Sequence, residues 1–341
     1  MKVALHSNQL DGPGSDKTPY DYAVGLRNRL GHDVSFITSS RNPAAGVQRI
    51  SLEFPVYTYD WDINTAEAED IRGDLEHLVE TQKIDFIQFL KYGQDDQITP
   101  SNCRTGVHCS LDMSQPHGTV YAGVSKTLAR KFNQPLFVPH IVSTMAPTRD
   151  LRKDLNIPAD AFVFGRHGAI NTFDIPFVHQ AVLSALNLRK DIYFVFLSTK
   201  RFCDHERVIH LPWVDSEQEK FNVIHACDAM LHGRIMGETF GVSVGEFSAA
   251  NKPVLTWSGK GFSAYQTAHL DILGSKALVY NTVTDLLSLL IKCEKKTFEG
   301  TAWDVYSEAY SEKSVMEQYA QVFLGNAAVG RSLATEGFAQ R

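Results

Sequence analysis

The chain has 341 residues, 43% of them hydrophobic and 21% charged, which is globular composition and enough length for two domains. A net charge of −6 and an isoelectric point near 6.1 exclude a strongly basic nucleic-acid surface. No apolar run approaches the roughly 20 residues of a membrane helix, so membrane contact is expected to be peripheral at most. Residues 1–7 have too short an apolar part for a signal peptide and read as a strand. The five cysteines are odd in number and show no Cys-x-x-Cys spacing. A disulfide framework or zinc site is therefore not expected, and a reducing, cytoplasmic compartment is the default.

In chain order, residues 2–7 form a buried strand, followed by Gly12-Pro13-Gly14-Ser15. A helix over 18–30 places Ala23, Leu26 and Leu30 on one face, Gly31 ends it, and 33–38 is a second strand. This strand, Gly loop, helix and strand open a nucleotide-binding fold. Gly12 and Gly14 satisfy only the first part of a dinucleotide fingerprint, because Lys17 stands where its third glycine belongs. The second strand runs into Arg41 with no acidic residue for a ribose, and Arg41 suits a 2′-phosphate. An NADP-dependent oxidoreductase using Gly12, Gly14 and Arg41 is thus an alternative reading.

Residues 41–65 read as irregular. Their Asp60-Trp61-Asp62 has the form of a metal-holding acidic pair, but no clear buried strand precedes it, so a surface loop is expected. An amphipathic helix over 66–82 leads to a strand at 84–90 and a polar loop at 91–96, the carboxyl end where ligands gather in open sheets. Another short strand ends at His108, and 119–125 is a strand running into a helix cap. Residues 136–142 read as the last strand of the first domain, and 143–150, with Pro147, as a hinge. Alternating strands and helices restart at 161–165, the main sign of a second, similar domain. Strands at 191–197, 208–211 and 228–231 lead into Ser198-Thr199-Lys200-Arg201, Pro212-Trp213-Val214 and His232-Gly233-Arg234. Strands at 253–257 and 276–280, a helix over 283–293, and a long helix over 303–324 with an aromatic stripe complete the pattern.

The most informative stretch is Gly237-Glu238-Thr239-Phe240-Gly241-Val242, with Glu246 eight positions after Glu238 and Pro253-Val254-Leu255 beyond it. Glu238 is expected on a loop and Glu246 about one turn inside a helix over 242–250. That helix would aim its free N–H groups at an anion lying between two hydroxyl-accepting carboxylates. A Glu pair at this spacing is commonplace. The whole string, however, resembles the signature of retaining glycosyltransferases of family 4. The opening through Gly31-His32-Asp33-Val34 and the run into Phe162-Val163-Phe164-Gly165 are also similar to that family.

The resemblance implies a GT-B architecture, two Rossmann-like parallel-sheet domains facing across a cleft. The expected divisions are 1–146 on the acceptor side, 147–301 on the nucleotide-sugar side, a helix at 302–324 crossing back, and a tail at 325–341. It implies transfer of a sugar with retention from a nucleotide sugar to a glycan or other hydroxyl, without a metal or other cofactor. Likeness of residues 232–241 to mannosyltransferase-like members, some encoded by large DNA viruses, favours GDP-mannose. Glu238 would hold sugar hydroxyls, Glu246 the ribose diol, and His108 would lie beside the donor sugar. Gly12 and Gly14 would close on the donor phosphate, while Phe240, Gly241 and Val242 would line the donor site. Trp213 and Val214 would meet the base, with Trp213 equally suited to a core or lid. The family's lysine after Gly-Arg is missing here, where Asn171-Thr172-Phe173-Asp174 stands, so Arg234, Lys200 and Arg166 are the candidate cations for the diphosphate. A non-catalytic GT-B module binding a glycan or partner stays open, and a homodimer is compatible.

Overall fold

A computed structural model describes residues 1–7, 13–41, 44–61 and 67–325. The chain divides into two compact units, Met1–Ile141 together with the chain from Glu312 onward, and Val142–Ser311. In chain order the first unit contains β1 (Lys2–His6), α1 (Pro13–Asn28), β2 (Asp33–Ser39), α2 (Ala44–Ser51), β3 (Val56–Tyr59), α3 (Ala68–Gln82), β4 (Phe86–Lys91), β5 (Arg104–Cys109), β6 (Val120–Gly123) and α4 (Lys126–Lys131). Its sheet is wholly parallel, in the order β3-β2-β1-β4-β5-β6. Runs such as Phe86-Ile87-Gln88-Phe89, apolar but for Gln88, are buried on both faces, which is what a helix-covered parallel sheet demands.

The second unit contains α5 (Leu151–Asp154), β7 (Phe162–His167), α6 (Pro176–Leu188), β8 (Ile192–Leu197), β9 (Val208–Leu211), α7 (Glu217–Ala226), β10 (Ala229–Leu231), β11 (Gly237–Glu238), α8 (Val242–Ala249), β12 (Val254–Trp257), β13 (Gln266–Thr267), α9 (Ala268–Leu273), β14 (Ala277–Tyr280), α10 (Val283–Lys292) and α11 (Lys295–Phe298). Six of these strands form a second parallel sheet, β14-β12-β10-β7-β8-β9, and β11 pairs separately with β13. Numbered within each unit, both large sheets have the same doubly wound order, 3-2-1-4-5-6, whose connections reverse direction between the first and fourth strands. Phe162, Phe164, Phe194 and Phe196 anchor the second core against Val178, Val182 and Leu186 of α6. The closing helix, α12 (Glu312–Val322), belongs to the first unit, where Met316 packs on Gly25 of α1 and Tyr319 on Tyr22.

Three expectations about elements are corrected. Residues 41–65 include α2 and β3, which pairs with β2 and buries Ile50, Phe54 and Tyr59. Both elements are too short for their periodicity to stand out. Residues 136–142 make only a single bridge, Gly123 to Phe137, because Pro135 and Pro139 remove ladder donors on either side. The last helix starts at Glu312, not 303. Asp304 accepts from the backbone of Tyr306 and Ser307, and Asn251 from that of Trp303, holding 303–311 in turns. Among the described residues no helix is long and apolar enough to cross a membrane.

Candidate functional site

The switch point of the second unit lies where β7 and β10 run side by side and their connections leave in opposite directions. Arg166, next to last in β7, is 3% exposed. Its guanidinium donates to the hydroxyls of Thr199, just past β8, at 2.6 Å and of Thr172 at 2.6 Å. Burial lowers its pKa to about 10, partly opposed by the charge of Glu238. Among the described residues no carboxylate forms an ion pair with it. A buried cation whose hydrogen-bond partners are two hydroxyls and the Ala169 carbonyl, with carboxylates acting on it only from a distance, is costly, and an incoming anion would offset that cost.

Beyond β10 the chain turns through His232, Gly233 and Arg234 to β11. Gly237 takes φ +64°, and a Cβ there would lie 2.1 Å from the Gln266 carbonyl oxygen, so only glycine lets β11 approach β13 this closely. That pairing fixes Glu238 on a short strand, not the loop expected from its sequence. Its side chain is 14% exposed. One oxygen faces Nε2 of His232 at 3.2 Å and the other accepts from Arg234 at 2.7 Å. Burial pushes the Glu238 pKa up, but the His232 hydrogen bond and the Arg234 charge prevail and hold it at about 2. Glu238 is therefore an ionised acceptor at neutral pH.

Behind His232 lies a buried polar chain. Its Nδ1 is 2.9 Å from the Thr256 hydroxyl, and that hydroxyl is 3.0 Å from Nε2 of His269. Sequence reasoning assigned no role to Thr256, His269, Thr199 or Thr172. They come from four separate segments, and no spacing links them.

Gly241, φ +89°, precedes α8 and offers no side chain to cap it, so among the described residues the amides of its first turn have no side-chain acceptor. Val242 opens the helix, half-buried. Phe240 points the other way, 1% exposed and edge-on to Tyr306 and Tyr310. It is a core residue of this unit, which corrects its place in a donor-lining set.

Glu246 also departs from expectation, because it is 0% exposed. One oxygen accepts from Lys220 at 2.6 Å and the other lies 2.9 Å from Nε2 of His167. Lys220 also reaches Glu217 at 2.8 Å. As placed, the Glu246 carboxylate meets a lysine and a histidine within its own unit, a pairing that i to i+3 or i+4 rules could not reveal.

Lys200 is exposed past β8, its backbone N–H bonded to the Ile170 carbonyl at 2.8 Å. Arg234 is about one third exposed. Trp213 is 44% exposed past β9, which removes the core reading for it, and Val214 is half-buried beside it. Arg166 thus stands at the carboxyl end of β7, and Lys200 and Arg234 beyond the carboxyl ends of β8 and β10 of the same sheet.

His108 is corrected. It is 0% exposed in β5 of the first unit. Its Nε2 donates to the Val138 carbonyl at 2.7 Å, which leaves Nδ1 to accept from the Gln88 amide at 3.3 Å. Gln88 in turn accepts from Tyr319 of α12 at 2.7 Å. Burial lowers the His108 pKa to about 4. With both nitrogens committed, the ring ties β5 to its own core and has none left for a sugar.

Gly14 lies in the first turn of α1, while Gly12 and Asp62 fall outside the described residues. Arg41 is exposed and paired with Asp60 at 3.3 Å, which answers the acidic-pair question for Asp60 with a surface ion pair.

No protein-family model and no curated protein matches the sequence. Solved structures do. HepE of Anabaena in complex with UDP-glucose superposes with a TM-score of 0.70 at 14% identity, over 94% of this chain and 98% of that one. A glycosyltransferase from Rickettsia africae superposes at 0.67 and 11% identity, over 96% and 99%. A protein described as a UDP-N-acetylglucosamine 2-epimerase from Listeria monocytogenes follows at 0.62 and 9% identity, over 94% and 96%. Likeness at such identities speaks to the backbone alone, and with two parallel six-stranded sheets of doubly wound order the chain has the GT-B fold.

Proposed function

We propose that this protein is a glycosyltransferase that moves a sugar from a nucleotide sugar to an acceptor hydroxyl. The observation that carries the reading is Arg166, a buried guanidinium at a switch point with two hydroxyl partners and, among the described residues, no carboxylate paired to it. A diphosphate supplies the missing charge. Arg234 and Lys200, beyond the ends of neighbouring strands, take the remaining phosphate oxygens in place of the lysine that the sequence lacks. The uncapped amides of α8 add donors without a net charge. Together these groups stabilise the nucleoside diphosphate as it leaves, and in this reading no metal is required.

Glu238 accepts hydrogen bonds from the donor sugar's hydroxyls, which an ionised carboxylate does well. The resemblance gives Glu246 the ribose diol, a role that requires it to leave both Lys220 and His167, which hold it as placed. Trp213 offers an aromatic face to the base, with Val214 beside it. Retention at the anomeric carbon and GDP-mannose as first donor follow the family resemblance. UDP-glucose belongs beside it, since HepE was solved with that ligand. A glycan hydroxyl is the acceptor class.

Calorimetric titration with a panel of nucleotide sugars and NADP, followed by product analysis with and without sugar acceptors, tests the reading. One nucleotide sugar should bind, and Arg166→Met should weaken that binding. Release of nucleoside diphosphate should require an acceptor. Binding of NADP alone, or conversion of the nucleotide sugar to an epimer with no acceptor present, would replace transfer with another activity.

A further inference from the structure

The segment that joins β7 to α6 makes contact at each of the three candidate cations. Its Ala169 carbonyl and Thr172 hydroxyl accept from the Arg166 guanidinium at 3.5 and 2.6 Å. Its Ile170 carbonyl accepts from the backbone N–H of Lys200 at 2.8 Å. Its Asp174 meets the turn that carries Arg234. The three cations are far apart in sequence, and one short segment registers them against one another. It does so without adding a cation of its own, since Asn171-Thr172-Phe173-Asp174 contains none.

The contact at Arg234 is two-sided. The N–H of Asp174 donates to the Gly233 carbonyl at 3.1 Å, and the N–H of Ile235 donates to Oδ1 of Asp174 at 2.7 Å. Both peptide groups that flank Arg234 are thus bonded to one residue. Phe173, 6% exposed, packs on the same turn: a Cβ at Gly233 would lie 2.8 Å from its Cε2, so ring and backbone are in direct contact. That ring is itself fixed against Phe196 and His179, with centroids 5.0 and 5.1 Å away. Arg234 therefore projects from a turn held on both sides, and its guanidinium reaches Glu238 at 2.7 Å. Holding a long cationic side chain in place before a ligand arrives lowers the ordering cost of binding.

Asp174 is exposed, and its charge acts on Arg166 from a distance. A negative charge near a phosphate site opposes an anion. What Asp174 gives the site is therefore its hydrogen bond with the Ile235 N–H. We propose that Asp174 is a positioning residue of the phosphate site, which holds the two peptide groups flanking Arg234 so that this guanidinium is presented to a diphosphate together with Arg166. Presentation to a diphosphate rests on the reading of this site as the donor site; the clamp on the turn does not.

The test compares Asp174→Ala with Asp174→Asn in the full chain. Hydrogen exchange at the Ile235 amide reads the clamp, and calorimetry with inorganic pyrophosphate, UDP and GDP reads the site. Asparagine keeps an acceptor for the Ile235 N–H and removes the charge. Asp174→Ala should speed Ile235 exchange about tenfold and weaken diphosphate binding about tenfold, the scale of one hydrogen bond. Asp174→Asn should keep the wild-type exchange rate and bind at least as tightly as wild type. In an Arg234→Ala background Asp174→Ala should cause no further loss of affinity, because the clamp acts through Arg234. Exchange or affinity unchanged by Asp174→Ala overturns the inference. So does an asparagine variant as weak as alanine, which would make the charge the cause. Losses that add to those of Arg234→Ala overturn it too, as does a wild type that binds none of the three diphosphates. If exchange and diphosphate binding follow the expected order but no form transfers sugar, the positioning role stands and the transferase reading fails.

Discussion

The two units carry the same sheet order but treat their switch points differently. In the first, the ends of β1 and β4 present His6 and Lys91. His6 is bonded to Tyr59 at 3.0 Å, and Lys91, 6% exposed, is paired with Asp96. Polar groups there answer one another. In the second, the end of β7 presents Arg166 with no carboxylate paired to it, and the segment after β10 presents an ionised Glu238. Topology alone therefore does not make a site. Among the described residues, what separates the two is whether the charges nearest the strand ends are paired: Lys91 is, and Arg166 is not.

The sharpest way to break this contrast is to change one carboxylate and one histidine. Glu238→Gln removes an ionised acceptor that the fold holds in place, and kcat should drop by about 10²–10³. His108→Ala, in the first unit, should leave kcat within about twofold while lowering stability by roughly 1–3 kcal/mol, because Gln88 and the Val138 carbonyl lose a buried partner. Steady-state kinetics and denaturant unfolding separate the two outcomes. Equal loss of activity in both would return His108 to the site.

A second comparison sets two of the buried cations, Arg166 and Lys91, against each other. Arg166→Met should weaken nucleotide-sugar binding about 10–100-fold by calorimetry, while melting temperature without ligand stays level or rises, since an unpaired buried charge is removed. Lys91→Met should leave nucleotide binding unchanged and cost about 1–3 kcal/mol, limited because Asp96 is one third exposed and can be solvated once its partner is gone.

The smallest effect expected is on acid stability. Burial lowers His6 to about 3, His108 to about 4 and His140 to about 3 in the first unit, against His269 at about 3 in the second, and it also lowers His32 in the first and His210 and His225 in the second. For a base held below its ordinary value of 6.5, the unfolded chain takes up the proton first. Stability is therefore lost as pH falls from about 6.5 toward 3, and more of it from the first unit, which holds three of the four most strongly lowered histidines. Glu238 acts in a lower window, because its contribution is present above about 4.5 and fades only toward 2. Hydrogen exchange at stepwise lower pH should show the first unit opening before the second, and the reverse order would contradict this account.

Much of the architecture was legible along the chain. Runs such as Phe194-Val195-Phe196-Leu197 can only be buried strands, and glycine-marked turns separated them into a repeating rhythm that named a doubly wound fold. The Gly237 to Gly241 string also drew the eye to Glu238 before any coordinates, because the whole run through Pro253-Val254-Leu255 resembles a family signature, and the structure adds that both glycines take positive φ. Short elements such as α2 and β3 escaped because one or two turns give no period to read, and the helix expected at 303–311 gave way to side-chain caps that periodicity ignores.

What the tertiary structure alone decided was the state of each charged group. Nothing in a linear spacing says that Glu246 is enclosed by Lys220 and His167, that His108 faces a carbonyl inside its own core, or that Thr256 and His269 stand in line behind His232. Those outcomes depend on which strand lies beside which, and on how completely water is excluded between them. The cost of burying a charge is a property of its surroundings, and the order of residues lists a charge without telling what surrounds it.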